Sequence, residues 1–171
     1  MKRFKQLLIL SLAALTLLSL LTACKDSYRD DLTSAKVMEE VLAAIPSESG
    51  YVQEESFLES DWGENLQLLL DSTSDRYIAI SENSANNVDE VGIFHVTDSA
   101  KVEEMTAIIE AYVEGRVLRF RDLLASYNPD ELPKLDEAAV EVRGNYIYYS
   151  ILSEDATAKA LAAFKSALKA E

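Results

Sequence analysis

Cysteine and histidine are almost missing from this sequence. The 171 residues contain one cysteine, Cys24, and one histidine, His95. A single cysteine cannot form a disulfide within the chain, and the two residues together cannot supply the four ligands of a structural zinc site of the Cys/His type. We therefore expect no disulfide, no metal site and no cofactor.

Basic residues are also scarce. Sixteen Lys and Arg residues stand against 30 Asp and Glu, and three of the sixteen fall in the first 23 positions, where no acid occurs. The remaining chain therefore has 13 basic and 30 acidic residues, which is a net charge of −17. Such a charge is repelled by nucleic acids and by anionic lipid surfaces. We expect no nucleic acid partner.

The first 24 residues carry the strongest signal in the chain. A basic start at 1–6 precedes a run from Leu7 to Leu21 whose only polar residues are Ser and Thr, and small residues follow. This order is typical of a secretory signal peptide. As a membrane-spanning helix the run would be short, because its residues cover about 22 Å of a hydrocarbon core about 30 Å thick.

The run ends in Leu21-Thr22-Ala23-Cys24, which resembles the lipobox of bacterial lipoproteins, where the cysteine sulfur receives a diacylglyceryl group. We therefore predict that residues 1–23 are removed and that Cys24 carries acyl chains such as palmitate. Two or more chains give stable anchoring, so the protein would be held on the extracytoplasmic face of the cell membrane. Residues 24–31 would form a short polar tether, and residues 32–171 a single extracytoplasmic domain.

Periodicity predicts an α+β fold. Apolar spacing indicates helices at 32–45, 66–70, 98–127 and 155–169. Alternation and turn residues indicate strands at 76–81, 90–96, 138–143 and 146–152, whereas 47–60 has the composition of a polar loop. The expected fold is a four-stranded antiparallel sheet of two β-hairpins, packed with one long helix, an N-terminal helix and a C-terminal helix.

Several stretches together resemble a known family. The lipobox is followed by an acidic helix, by "DEVGIF" at 89–94, by a long helix with Arg116 and Phe120, by "YNP" at 127–129 and by "VEVRGNYIYY" at 140–149. These features are similar to those of small lipoproteins of clostridia and their relatives that carry domain of unknown function 4358. The resemblance implies a membrane-attached extracytoplasmic protein and brings no activity with it.

Arg116 is the most informative polar residue after the leader. At about 100° per residue it falls inside the apolar stripe of the long helix, where an unpaired charge is costly. We predict a pair with Glu90, which shares a strand face with Gly92, although the opposite face is also apolar enough to be core. Gly92 would let the helix approach, and Gly115 indicates close packing or a kink. The alternative is that Arg116, with Arg119, receives an acidic group from a partner or ligand.

Tyr146 and Tyr148 are candidate exposed aromatics. Together with Tyr149 they crowd one strand, so at least one of them should point away from the core. An exposed tyrosine can stack on a sugar or anchor a partner. The alternative is amphipathic packing at a sheet edge.

Catalytic motifs are weak. His95 would need a nearby Ser or Cys and an orienting acid to act as a general base, and the sequence contains no nucleophile elbow. Residues 71–82 imitate the acid spacing of a calcium loop, but Arg76 stands where that loop needs glycine. We expect a non-enzymatic lipoprotein that binds an unknown envelope protein or another envelope component. The alternatives are a small-ligand-binding lipoprotein accessory to a transporter and an envelope enzyme.

Overall fold

The computed structural model describes residues 28–57 and 59–170, so the predicted signal peptide and Cys24 lie outside the described residues. None of the helices described is long and apolar enough to cross a membrane. The helices are α1 (Ser34–Ala44), α2 (Glu59–Trp62), α3 (Leu66–Ser72), α4 (Val102–Tyr127), α5 (Leu132–Asp136) and α6 (Glu154–Ala167). The strands are β1 (Tyr51–Glu54), β2 (Thr73–Ser81), β3 (Glu90–Val96), β4 (Ala139–Arg143) and β5 (Tyr146–Ile151).

The strands form one antiparallel sheet in the order β1-β2-β3-β5-β4. The α+β class and the two hairpins, β2–β3 and β4–β5, are confirmed. The predicted number of strands is wrong, because the sheet has five strands rather than four. The additional strand, β1, lies in the segment predicted to be a loop and pairs with β2, with Tyr51 opposite Ser81 and Glu54 opposite Ile78.

Helices cover both faces of the sheet. Successive side chains of a strand point to opposite faces, so Val91 and Ile93 of β3 pack with α1 and α6. Phe94 and Val96 pack on the other face, against α4 and α3. The face of β3 that carries Glu90 is therefore the one that meets the long helix.

Residues 28–31, which belong to the predicted short tether, contact the domain. Tyr28 forms an isolated antiparallel bridge with Lys169. The Arg29 backbone N–H donates to the Leu168 carbonyl at 2.9 Å. The folded unit therefore includes residues that precede the predicted boundary at Leu32.

Candidate functional site

Glu90 is a buried carboxylate at the contact between α4 and the sheet. It begins β3 and is 1% exposed. Its Oε1 accepts hydrogen bonds from the hydroxyls of Tyr112 and Tyr149, both at 2.7 Å. Its Oε2 accepts from Arg116 Nε at 3.0 Å and also from Arg116 Nη2. The structure thus brings together Arg116 and Glu90, and it adds two tyrosines that reasoning from the sequence missed.

The members of this cluster stabilise one another's protonation states. Burial and the negative charge of Glu90 raise the pKa values of Tyr112 and Tyr149 well above the usual range, so both phenols stay protonated and donate. Burial alone would lower the pKa of Arg116, but attraction to Glu90 outweighs it and the pKa is raised. Trp62 stacks on Tyr112 with 3.9 Å between ring centroids. The cluster therefore joins β3, β5, α4 and α2 in one charge-balanced contact.

The two glycines of this region have roles that differ from the predicted ones. A Cβ atom on Gly92 would lie 2.0 Å from Tyr149 Cε1, so Gly92 makes room for the Tyr149 ring and not for the helix. Gly115 is exposed, and a Cβ atom there would meet nothing within 4 Å. Close packing at Gly115 was therefore a wrong prediction.

Arg119 and Arg116 each form an ion pair with a carboxylate of the chain. Arg119 Nη1 donates to Asp61 at 2.8 Å, which ties α4 to α2. The Arg116 side chain is 21% exposed and lies 4.5 Å over the Phe120 ring in addition to its contact with Glu90. Both arginines therefore belong to ion pairs within the fold. A ligand carboxylate would have to displace Glu90 from Arg116, or Asp61 from Arg119, to reach the guanidinium.

Tyr146 and Tyr148 are buried, which corrects their prediction as exposed aromatics. Both are 0% exposed, as is Tyr149. The reason is that β5 lies between β3 and β4 and that helices cover both of its faces. Tyr146 stacks on His95 at 4.2 Å and Tyr148 on Phe164 at 5.1 Å. Burial raises the pKa of Tyr146 and of Tyr148 to about 12.

The helix α4 is longer than the strands of the sheet, and its C-terminal end exposes apolar side chains. The helix has 26 residues and spans about 39 Å, whereas the seven residues of β3 span about 23 Å. Near this end Leu124 is buried, whereas Leu123 is 49% and Tyr127 83% exposed. We call the two exposed side chains the α4 tip.

A polar chain links the N-terminal segment, residues 28–33, to the sheet. One oxygen of Asp30 lies 2.9 Å from His95 Nε2, and the other accepts from Asn145 Nδ2 at 3.0 Å. On the far side of the ring, His95 Nδ1 lies 3.0 Å from Ser74 Oγ. His95 thus has the neighbouring serine and acid that the sequence did not reveal, because these residues are far apart along the chain.

The N-terminal segment and the α4 tip lie at opposite ends of the sheet. Asp30 is bound to the end of β3, through His95, and to the β4–β5 turn, through Asn145. Asn128, which follows α4, donates to the Asn86 carbonyl at 2.8 Å in the β2–β3 turn. Because β3 begins at the β2–β3 turn and ends beside the β4–β5 turn, α4 leads from one end of the molecule to the other.

Residues 71–82 do not form a single loop. Asp71 lies in α3, and Thr73–Ser81 is β2. In the part of the chain that the structure describes, no group of three or more His, Cys, Asp or Glu residues could hold a metal ion.

The fold defines an α+β protein built on one antiparallel sheet with helices on both faces. The family described as domain of unknown function (DUF4358) matches residues 47–152, and the chain belongs to this family. The match runs from before β1 to the end of β5 and includes Glu90 and Arg116. Neither a curated protein nor a solved structure matches the chain.

Proposed function

We propose that the protein is a lipoprotein anchored through Cys24 on the extracytoplasmic face of the cell membrane, where it works as a non-enzymatic module that binds an envelope protein. The observation that supports binding is the separation of the two ends. The N-terminal segment is attached at one end of the sheet, and the exposed apolar side chains of the α4 tip lie at the other. An anchor at the first end would leave the second free for a partner.

The short connection limits how far the domain can move from the bilayer. The residues between Cys24 and Tyr28 extend at most about 14 Å, and Tyr28 is already bridged to Lys169. The β4–β5 turn would then face the membrane, and α4, about 39 Å long, would lead away from it. The charge of −17 after residue 23 supports this arrangement, because an anionic surface repels the acidic domain.

The anchor is tested by Cys24→Ser in the full chain. The unsubstituted protein should incorporate labelled fatty acid and sediment with membranes, and the variant should do neither. Ser27→Ala, three residues further on, is the control and should keep both properties. A Cys24→Ser protein that is still cleaved after Ala23 and stays in the membrane fraction would contradict the proposal.

Binding of a small ligand for a transporter is an alternative. A surface depression of about 450 Å³ between α1 and α6 is lined by residues that include Lys36 and Ala163, and ligand sites have volumes of about 300–1,000 Å³. Native mass spectrometry of the purified full chain tests this alternative. A small molecule that stays bound, and that Ala163→Trp removes, would support it over protein binding.

Hydrolysis at Ser74 is a second alternative, favoured by the contact of Ser74 with His95 and of His95 with Asp30. In such a reaction Ser74 Oγ would attack an ester carbonyl while His95 Nδ1 takes the hydroxyl proton. The bond to the alcohol oxygen would then break as His95 gives that proton to the leaving alcohol, and water activated by His95 would release the acid from Ser74. A fluorophosphonate probe reports a nucleophile of this kind. The binding proposal expects no labelling, and labelling that Ser74→Ala abolishes would contradict a non-enzymatic role.

A further inference from the structure

The outer edge of β4 presents backbone groups that no second strand pairs. β4 ends the sheet order, and within the described residues only β5 lies beside it. A two-residue turn joins Arg143 to Tyr146, and the two residues next to such a turn exchange backbone hydrogen bonds. Along an antiparallel pair, hydrogen-bonded positions alternate with positions that are not bonded to the neighbour. The N–H and C=O groups of Val142 and Val140 therefore point away from β5, to the open side of β4.

The hydrogen bonds around β5 agree with this orientation. The Asn145 carbonyl, just before β5, accepts from the Val96 N–H at 2.8 Å and so faces β3. Tyr146, the next residue, therefore faces β4. Among residues 28–57 and 59–170, no side chain and no loop backbone hydrogen bonds to the main chain of Val140 or Val142. The open side of β4 can therefore pair with an added strand.

A groove of about 650 Å³ lies beside this edge, along the N-terminal half of α4. Val142 of β4 lines it together with Val102, Thr106 and Ala107 of α4. The side chains of Val140 and Val142 point to the face of the sheet that α4 covers. Successive side chains of a strand point to opposite faces. A strand added to β4 would therefore place every second side chain in the groove.

The groove also carries two acids without a basic partner. Glu103 and Glu110 line it, and both are exposed. Neither makes a salt bridge with a residue in the described ranges, and none of the described residues that line the groove is basic. The two acids are about 10 Å apart along the helix. This combination of an apolar floor and acidic borders fits Lys or Arg, whose stems cover apolar surface while their charged ends stay at the rim.

The same acids argue against two other occupants of the edge. Two copies joined through their β4 strands would continue one antiparallel sheet, with both α4 helices on the same face. Glu103 and Glu110 would then face the acids of the second copy, and like charges across an interface oppose association. An anionic lipid surface would be repelled in the same way.

We propose that an extended segment of the envelope partner pairs with the open edge of β4 as an additional strand and places Lys or Arg at alternate positions in the groove. In this mode of recognition, main-chain hydrogen bonds supply affinity and the sites for alternate side chains supply specificity. The inference rests on the proposed binding of an envelope protein, and it locates this binding at a surface separate from the α4 tip.

A heptapeptide of alternating Thr and Lys tests the edge in NMR titrations of the full chain in neutral detergent micelles. We expect chemical-shift changes and slower hydrogen exchange at the amides of Val140 and Val142. The same peptide with N-methylated amides cannot donate to the edge and should bind about tenfold more weakly. A peptide of the same composition with its Lys residues adjacent should bind several-fold more weakly. Equal affinities of the three peptides, shifts that spare Val140 and Val142, or no binding would overturn the proposal.

Charge variants test whether the groove or the overall acidity of the chain attracts the peptide. Glu103→Gln with Glu110→Gln should weaken binding several-fold and reduce its dependence on salt. Glu104→Gln with Asp122→Asn is the control, because it removes the same charge from exposed positions about 100° around α4 from Glu103. The control should leave the affinity unchanged. Equal effects of the two double variants would contradict recognition in the groove.

Photo-crosslinking in cells separates the groove from the proposed function. A photoreactive phenylalanine analogue is placed in the full chain at Ala107, at Tyr127 or, as a control, at Ala125, which is exposed on α4 about 27 Å beyond Ala107. We expect an adduct from Ala107, and none from Ala125, whose partner peptide has Lys or Arg at alternate positions. An envelope-protein adduct from Tyr127 without one from Ala107 would overturn the groove and leave the binding of an envelope protein standing. No adduct at any position would contradict both.

Discussion

A carboxylate with almost no solvent contact determines where α4 meets the sheet. A buried charge is stable only when it is paired and its oxygens accept hydrogen bonds. Arg116 supplies the opposite charge to Glu90, and Tyr112 and Tyr149 donate to the oxygen that Arg116 does not contact. At the residue scale, this contact fixes the position of α4 on the sheet.

The Arg116–Glu90 pair should behave as one unit in denaturation. Removing either partner leaves a buried charge without compensation, so Arg116→Ala and Glu90→Ala should each lower the free energy of unfolding by about 3–5 kcal/mol. The double variant should lose clearly less than the sum, because the two residues share one contact. Urea denaturation measures all three. Arg121→Ala, which breaks an exposed pair with Asp136, is the control and should cost at most about 1 kcal/mol. Small, additive losses would contradict the pair.

Substitution by alanine should change the stability of the protein in opposite directions at Gly92 and Gly115. Gly92→Ala would force the Tyr149 ring away from its position beside Glu90, and overpacking of this kind costs about 1–3 kcal/mol. Gly115→Ala adds a methyl group in open space within α4 and should stabilise the protein by up to about 1 kcal/mol. Thermal unfolding of the two variants checks both signs. Destabilisation by Gly115→Ala would show that the helix is packed there.

At the scale of the elements, substitution by alanine should lower the stability of the protein by very different amounts at two adjacent leucines near the end of α4. Leu124 is 6% exposed in the cluster with Leu135, whereas Leu123 is 49% exposed. Leu124→Ala should cost about 2–5 kcal/mol, and Leu123→Ala should stay within about 0.5 kcal/mol. Denaturation midpoints compare the two directly. An equal cost at Leu123 would mean that its side chain is covered and not free to bind a partner.

Elements whose own residues show a clear periodic pattern could be predicted from the sequence, and the others could not. The stripe of α4 and the alternation of β2, β3 and β5 are visible within each segment. The four residues of β1 alternate too little to be distinguished from a loop, and they form a strand because β2 pairs with them. The place of β5 between β3 and β4 depends on pairing between distant segments, so nothing within the strand indicated that Tyr146 and Tyr148 are buried.

At the scale of the whole molecule, the buried tyrosines predict how stability depends on pH. Burial raises the pKa of Tyr146 and of Tyr148 to about 12, against about 10 in an unfolded chain. The unfolded chain therefore loses these protons first, and the free energy of unfolding should fall as pH rises from about 10 towards 12. Tyr148→Phe should reduce this fall. A free energy of unfolding that stays constant between about pH 10 and 12 would contradict the burial.

Some residues of the candidate sites could be predicted from the sequence, and others could not. Arg116 could be assigned to the core from its position on one helix, and Glu90 from its position on one strand. Asp30 reaches His95 because the N-terminal segment folds back along the domain. Ser74 reaches His95 because β2 pairs with β3, and no local pattern indicates either contact. The exposure of Leu123 and Tyr127 could not be predicted either, because an apolar stripe does not show which of its residues other elements cover.

The lipid anchor proposed at Cys24 determines where the protein is located. The most direct measurement is the mass of the N-terminal peptide of the protein extracted from membranes in detergent. The account predicts a peptide that begins at Cys24 and is heavier by a diacylglyceryl group. A peptide that begins at Met1, or that contains an unmodified Cys24, would contradict it.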